Sequence, residues 1–243
     1  MPFPVFLAMT AAEIRGRQAF PGRIGWMSCL FSPYGTGLSN FPRTLPPGAL
    51  LILSDYTPMQ GHDPEYITQQ LLHCIETFCC SGLLLDFQRP QNEDTAILSR
   101  MLAEALPCPV AVPEMYALDL DCGVFLPPVM PSAALKDYLA PWQGREIWLE
   151  LSLNGEIITL TETGAEAVPL PRFVPPECGF AETDLHCHYR IETAQDKAAF
   201  TLWRTREDVA ALLEEAEGYV VTAGIGLYQE FGSPIQIPAN ELR

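Results

Sequence analysis

A chain of 243 residues with 48% hydrophobic and 10% aromatic residues suffices for one α/β barrel, for which about 250 residues is typical. Its formal net charge of -16, from 14 Lys plus Arg against 30 Asp plus Glu, excludes a general phosphate-backbone binder, because nucleic-acid sites need a basic footprint. No apolar run approaches the roughly 18 residues that span a bilayer, the first residues lack the basic segment of an export signal, and the eight cysteines lie mostly in apolar runs without a Cys-x-x-Cys pair, so the expectation is a cytoplasmic, reduced, single domain over 1–243 with no nucleic-acid or membrane partner.

The elements alternate strand and helix. Residues 3–9 read as a first strand, followed by a short helix whose start carries a capping-box pair, Thr10 and Glu13. A second strand over 23–31 runs into a Gly-, Pro- and Tyr-rich loop at 32–37, and the apolar run 49–54 is a third strand ending at Asp55 and Tyr56. Asp63 caps the next helix, Pro64 occupies its first turn, and Ile67, Leu71, Ile75 and Phe78 recur at helical spacing as a core-facing stripe. A fourth strand covers 82–88, a helix opens at Asn92 or Asp94, and 109–113 and 123–126 are the fifth and sixth strands.

Asn154-Gly155 lies between two alternating runs, 146–153 and 157–161, and predicts a β-hairpin insertion around residues 146–161. Beyond it come a strand near Tyr189, an apolar run over 199–203, a helix from Thr205 and a last strand over 223–228. This order predicts a (β/α)8 TIM-type barrel with that insertion.

The fourth strand carries the informative pattern, Ser81-Gly82-Leu83-Leu84-Leu85-Asp86-Phe87-Gln88. Alternation places Leu84, Asp86 and Gln88 on one face, which in a closed barrel is the interior, with Gln88 nearest the rim. The segment resembles the fourth-strand motif Asp-Gly-x-Asp-x-Asp-x-Glu of glycoside hydrolase family 18, the chitinase-like enzymes, with Gly82 and Asp86 matched and Leu84 and Gln88 where two carboxylates stand. The closing order of elements is similar to that family as well, with Tyr228 of Gly224-Ile225-Gly226-Leu227-Tyr228 in place of a pocket-floor Trp.

The resemblance implies a barrel fold, no cofactor, and an N-acetylhexosamine-containing glycan or amino-sugar ligand. In the family the terminal Glu protonates the leaving oxygen while the substrate's acetamido group attacks, oriented by the preceding Asp, here Asp86. Gln88 cannot donate that proton, and 123–128 has no counterpart of the family's sixth-strand Met-x-Tyr-Asp pattern. The implied function is a pseudoenzyme that binds glycan without efficient hydrolysis.

Candidate ligand-binding residues are Asp55, Tyr56, Asp86, Gln88, Glu114, Tyr228 and Glu230, all at strand ends. Asp86 and Glu114 are the candidate catalytic carboxylates: Glu114, after the fifth strand, is a replacement acid if the chain is an active hydrolase. Arg89 either neutralises Asp86 or caps a rim loop. A protein-interaction scaffold is the third possibility, with Trp142, Trp203 or the Tyr34 loop as anchors. His186-Cys187-His188, with Asp184 and Cys178 nearby, lacks convincing zinc spacing and reads as a satisfied strand pair, so no metal is expected.

Overall fold

The computed structural model describes residues 3–15, 17, 19–20, 22–170, 175–176, 178–194 and 197–232. The chain begins β1 (Val5–Met9), α1 (Ala11–Ile14), β2 (Arg23–Phe31), β3 (Leu38–Ser39), β4 (Leu50–Ser54), α2 (Pro64–Phe78) and β5 (Gly82–Asp86). It continues α3 (Glu93–Ala105), β6 (Val110–Pro113), α4 (Glu114–Ala117), β7 (Gly123–Leu126), α5 (Leu135–Leu139) and β8 (Ile147–Leu151). Strands β9 (Gly155–Thr161), β10 (Gly164–Leu170), β11 (Phe180–Glu182), β12 (Cys187–Ala194) and β13 (Lys197–Trp203) precede α6 (Arg206–Ala216), β14 (Val221–Leu227) and α7 (Tyr228–Phe231).

Eight parallel strands, β1, β2, β4, β5, β6, β7, β8 and β14, close into a barrel through the β1–β2 and β1–β14 pairings. The fold is the expected TIM-type barrel. Local chemistry starts α1, α2 and α3 as their sequence promised: Thr10 and Glu13 form a capping box, Asp63 accepts from the amides of Glu65 and Tyr66, and Asn92 caps α3. Ile67, Leu71 and Ile75 of α2 are buried against the outside of the barrel.

Inside the barrel Phe6, Ala8, Leu50, Ile52, Leu84, Ala111, Trp148, Ala223 and Ile225 form a separate core. Trp148 is its largest member, and its indole donates to Glu146 Oε1 at 2.8 Å. A Cβ on Gly82 would meet the Trp148 ring at 2.8 Å and the Pro109 carbonyl at 3.0 Å. The motif glycine therefore has a packing reason: only a residue without a side chain lets β5 pass that ring.

The hairpin expected around 146–161 is corrected. Ile147–Leu151 is the seventh barrel strand, paired in parallel with β7 and β14, and Gly155–Thr161 leaves the barrel to pair with β10 and β13. Burial on both faces decides this, since β8 sends Trp148 into the barrel and Ile147, Leu149 and Leu151 toward the helices. The inserted unit is a five-stranded antiparallel sheet, ordered β10-β9-β13-β12-β11, between the seventh strand and α6. Arg204, 3% exposed, fastens it by donating to the carbonyls of Val129, Met130, Leu185 and His186.

Candidate functional site

The C-terminal strand ends form the barrel mouth, where side chains from different strands converge. Two residues above Leu84 on the inner face of β5 stands Asp86; two residues above Trp148 on β8 stands Glu150. Phe125 of β7 and Leu227 of β14 pack on the interior core near this level. The mouth thus presents two carboxyl groups among apolar side chains.

Gln88 lies just past the end of β5, and its Nε2 donates to Asp86 Oδ1 at 3.2 Å. Its backbone is held by Asp55, which is 2% exposed and accepts from the amides of Gln88 and Arg89, each at 2.9 Å. Arg89 in turn donates to the carbonyls of Asp55 and Tyr56 at 2.8 and 2.9 Å. Of the two roles open to Arg89, the structure shows the rim-loop cap. Asp55 and Arg89 interlock the loops after β4 and β5 and fix where Gln88 begins.

Burial raises the Asp86 carboxyl above the ordinary range; the Gln88 hydrogen bond opposes the rise and the Asp55 charge adds to it. Glu150 is pushed up to about 7, first by burial, then by the charges of Asp86 and Glu230. Tyr138, raised by burial and by both Glu114 and Glu150, donates its hydroxyl to the Pro127 carbonyl at 2.8 Å.

Two clefts share Asp86 and Gln88 as their common ridge. One, of about 490 Å³, runs over Met27, Asn40, Ser54, Asp55, Tyr56 and Arg89. The other, of about 580 Å³, is lined by Glu114, Met115, Leu118, Phe125, Trp142 and Glu150. Their sizes suit a small ligand, and the second has the mainly apolar wall with few polar groups that such sites favour. Leu118 is 77% exposed on its rim.

Five sequence candidates, Asp55, Tyr56, Asp86, Gln88 and Glu114, line these clefts. Glu114 is the exposed first residue of α4, and Tyr56 is 80% exposed on the rim. Glu230 points elsewhere, accepting from Ser152 Oγ at 3.0 Å and the Leu153 amide at 2.8 Å, which ties α7 to the end of β8. Tyr228 receives a 2.7 Å hydrogen bond from Arg17, whose guanidinium lies 4.7 Å over its ring. Neither lines the two clefts. Among the proposed anchors Trp203 is buried, whereas Tyr34 is fully exposed and Trp142 lines the apolar cleft.

Glu150 is the residue that sequence reasoning missed. Its signal was present in Ile147-Trp148-Leu149-Glu150-Leu151, a single carboxylate near the end of an apolar run, the same form as Gly82–Asp86. The His pair is occupied by helix α6: His186 Nε2 meets Glu215 at 2.9 Å and His188 Nδ1 meets Asp208 at 2.8 Å, while Cys187 is buried. Among the described residues no group of three or more His, Cys, Asp or Glu side chains is arranged to hold a metal ion. Among them, too, no helix is long and apolar enough to cross a membrane.

The eight-stranded parallel barrel has a family 18-like fold. No family profile matches the sequence, and no curated protein matches it either. Solved structures do. A glycoside hydrolase family 18 N-acetylglucosaminidase from Paenibacillus barengoltzii superposes with a TM-score of 0.58 at 7% identity, over 92% of this chain and 94% of its own. The spore cortex-lytic enzyme SleL of Bacillus megaterium gives 0.54 at 10% identity, over 92% and 70%. A Cycas revoluta family 18 chitinase bearing a Gly-to-Trp and a Glu-to-Gln substitution, in complex with (GlcNAc)4, gives 0.50 at 10% identity, over 92% and 94%.

Proposed function

We propose that the barrel mouth binds an N-acetylhexosamine-containing glycan and does not hydrolyse it efficiently. The observation that carries this reading is the 3.2 Å hydrogen bond from Gln88 to Asp86. Where the family's motif has a carboxylic acid beside the aspartate, this chain has an amide that makes a hydrogen bond but has no transferable proton. Asp86 remains an acceptor able to orient an acetamido N–H, and Phe125 and Trp142 offer apolar surface for sugar rings. A Cycas revoluta family 18 chitinase of similar fold is in complex with (GlcNAc)4, which supports a glycan as the ligand class.

The test is a hydrolysis assay with N-acetylglucosamine oligomers on wild type and Gln88→Glu. Turnover absent or very slow in wild type and rising in Gln88→Glu is the expected result; enzyme-like turnover by wild type contradicts the reading.

A working hydrolase is the second reading, and Glu150 is the observation that favours it. Of the carboxyl groups on the apolar cleft, Glu150 is held near pH 7 by its surroundings, which is the poise a general acid needs; Glu114 is exposed. Wild-type turnover abolished by Glu150→Gln and kept in Glu114→Ala would establish it. The eight free cysteines support the proposal of a reducing, cytoplasmic setting.

A further inference from the structure

A third cleft, of about 920 Å³, lies between α1 and the loop that joins β3 to β4. Arg15, Arg17 and Arg43 stand on its walls, and the rings of Phe20, Trp26 and Phe41 line it with them. Among the described residues no Asp or Glu lines it, in a chain that has 30 of them against 14 Lys plus Arg. Three guanidinium groups and three aromatic rings thus share one hollow without a carboxylate.

Local bonds hold the walls. Trp26, 7% exposed, donates its indole N–H to the Asn40 carbonyl at 3.1 Å, which pins the loop after β3 to β2. Asn40 turns the chain there with a φ of 59°, a left-handed conformation that asparagine tolerates better than most residues. Arg17 donates from Nε to the Glu13 carbonyl at 2.6 Å and from Nη2 to the Tyr228 hydroxyl at 2.7 Å, with its guanidinium 4.7 Å over the Tyr228 ring. The Glu13 carboxylate is engaged elsewhere, accepting from the Thr10 amide and hydroxyl at 2.7 and 2.8 Å. Arg15 and Arg43 are exposed, and among the described residues the ion pairs are His186–Glu215, His188–Asp208 and Arg190–Glu192, none in this cleft.

We propose that this cleft binds a small phosphorylated aromatic compound of the nucleotide kind, its phosphate on the arginines and its ring against Phe20, Trp26 and Phe41. A carboxylate has two oxygens, which one guanidinium fork fills; a phosphate or diphosphate presents three or more oxygens and a higher charge, which suits several forks at once. The aromatic side chains add flat apolar surface on which a ring stacks. The cleft's volume falls within the range of small-molecule sites. A net charge of -16 around the hollow repels a polyanion, so the ligand is a small molecule and not a nucleic acid. The site stands independently of the glycan reading of the mouth.

The test is calorimetric titration of ADP, adenosine, inorganic diphosphate and citrate into wild type, Arg15→Ala/Arg43→Ala and Phe41→Ala, each variant first shown by its melting curve to be folded. The expected result is saturable ADP binding by wild type, weaker at high salt and about fivefold weaker in the double arginine variant, as two exposed, screened charge contacts provide. Phe41→Ala is expected to weaken ADP by about the same factor and to leave diphosphate unchanged, because only a ring contact has gone. ADP binding no tighter than adenosine, or unchanged in the double arginine variant, overturns the phosphate seat. Diphosphate binding as tightly as ADP, or ADP binding unchanged in a folded Phe41→Ala, overturns the aromatic seat. Citrate binding as tightly as diphosphate makes the hollow a general anion trap and overturns the assignment, and absence of ADP binding by wild type overturns the proposal outright.

Discussion

Asp86 and Glu150 stand on the inner faces of the fourth and seventh barrel strands, each two residues above a core side chain, Leu84 and Trp148. Burial first, and then the charges of Asp86 and Glu230, hold the Glu150 proton to about pH 7. The mouth therefore carries a readily protonated carboxyl near neutrality, without any carboxylate at position 88.

That pairing makes stability depend on pH in a stated direction. The Glu150 carboxyl is raised from its ordinary 4.5 to about 7 in the folded state, so the folded protein holds a proton that the unfolded chain has released. Stability from this group is full below about pH 4.5 and lost as pH rises through about 7, by about 3 kcal/mol at most. Glu150→Gln removes the slope. Thermal melts between pH 5 and 8 are expected to show wild type declining relative to the variant, with the variant ahead at pH 8.

Arg89 bonds backbone carbonyls on the loop after β4 while Asp55 holds two amides on the loop after β5. Asp55→Asn keeps the shape but weakens charge-assisted bonds to a buried acceptor, with an expected loss of about 1–3 kcal/mol. Denaturant unfolding measures it, and a smaller rise of the Asp86 carboxyl, read by NMR titration, accompanies it because the Asp55 charge has gone.

Gly82 is tested by its smallest replacement. Gly82→Ala drives a methyl against the Trp148 ring and the Pro109 carbonyl, and about 1–3 kcal/mol of destabilisation is expected from overpacking. The variant's melting temperature checks this, and Trp148→Phe in the same background is expected to recover part of the loss.

The barrel was legible because its strands are short apolar runs separated by capped helices: Asp63-Pro64 and Asn92 announce α2 and α3, and Gly82-Leu83-Leu84-Leu85-Asp86 announces a buried strand with one polar tip. Glu150 escaped because Asn154-Gly155 imitates a hairpin turn, whereas the true two-residue turn is Glu162-Thr163, between β9 and β10. Alternation in sequence does not distinguish a strand that leaves the barrel from one that stays, since both show period two. Tyr228 and Glu230 were placed correctly at a strand end, but α7 begins there and turns them to Arg17 and to Ser152.

Calorimetric titration of N-acetylglucosamine tetramer into wild type and Asp86→Ala tests the central claim most directly. Saturable binding by wild type, weakened about tenfold or more in Asp86→Ala through loss of a charged acceptor, is the predicted result. Heat of binding absent in wild type, or unchanged in a folded Asp86→Ala, would contradict a glycan site at the end of the fourth strand.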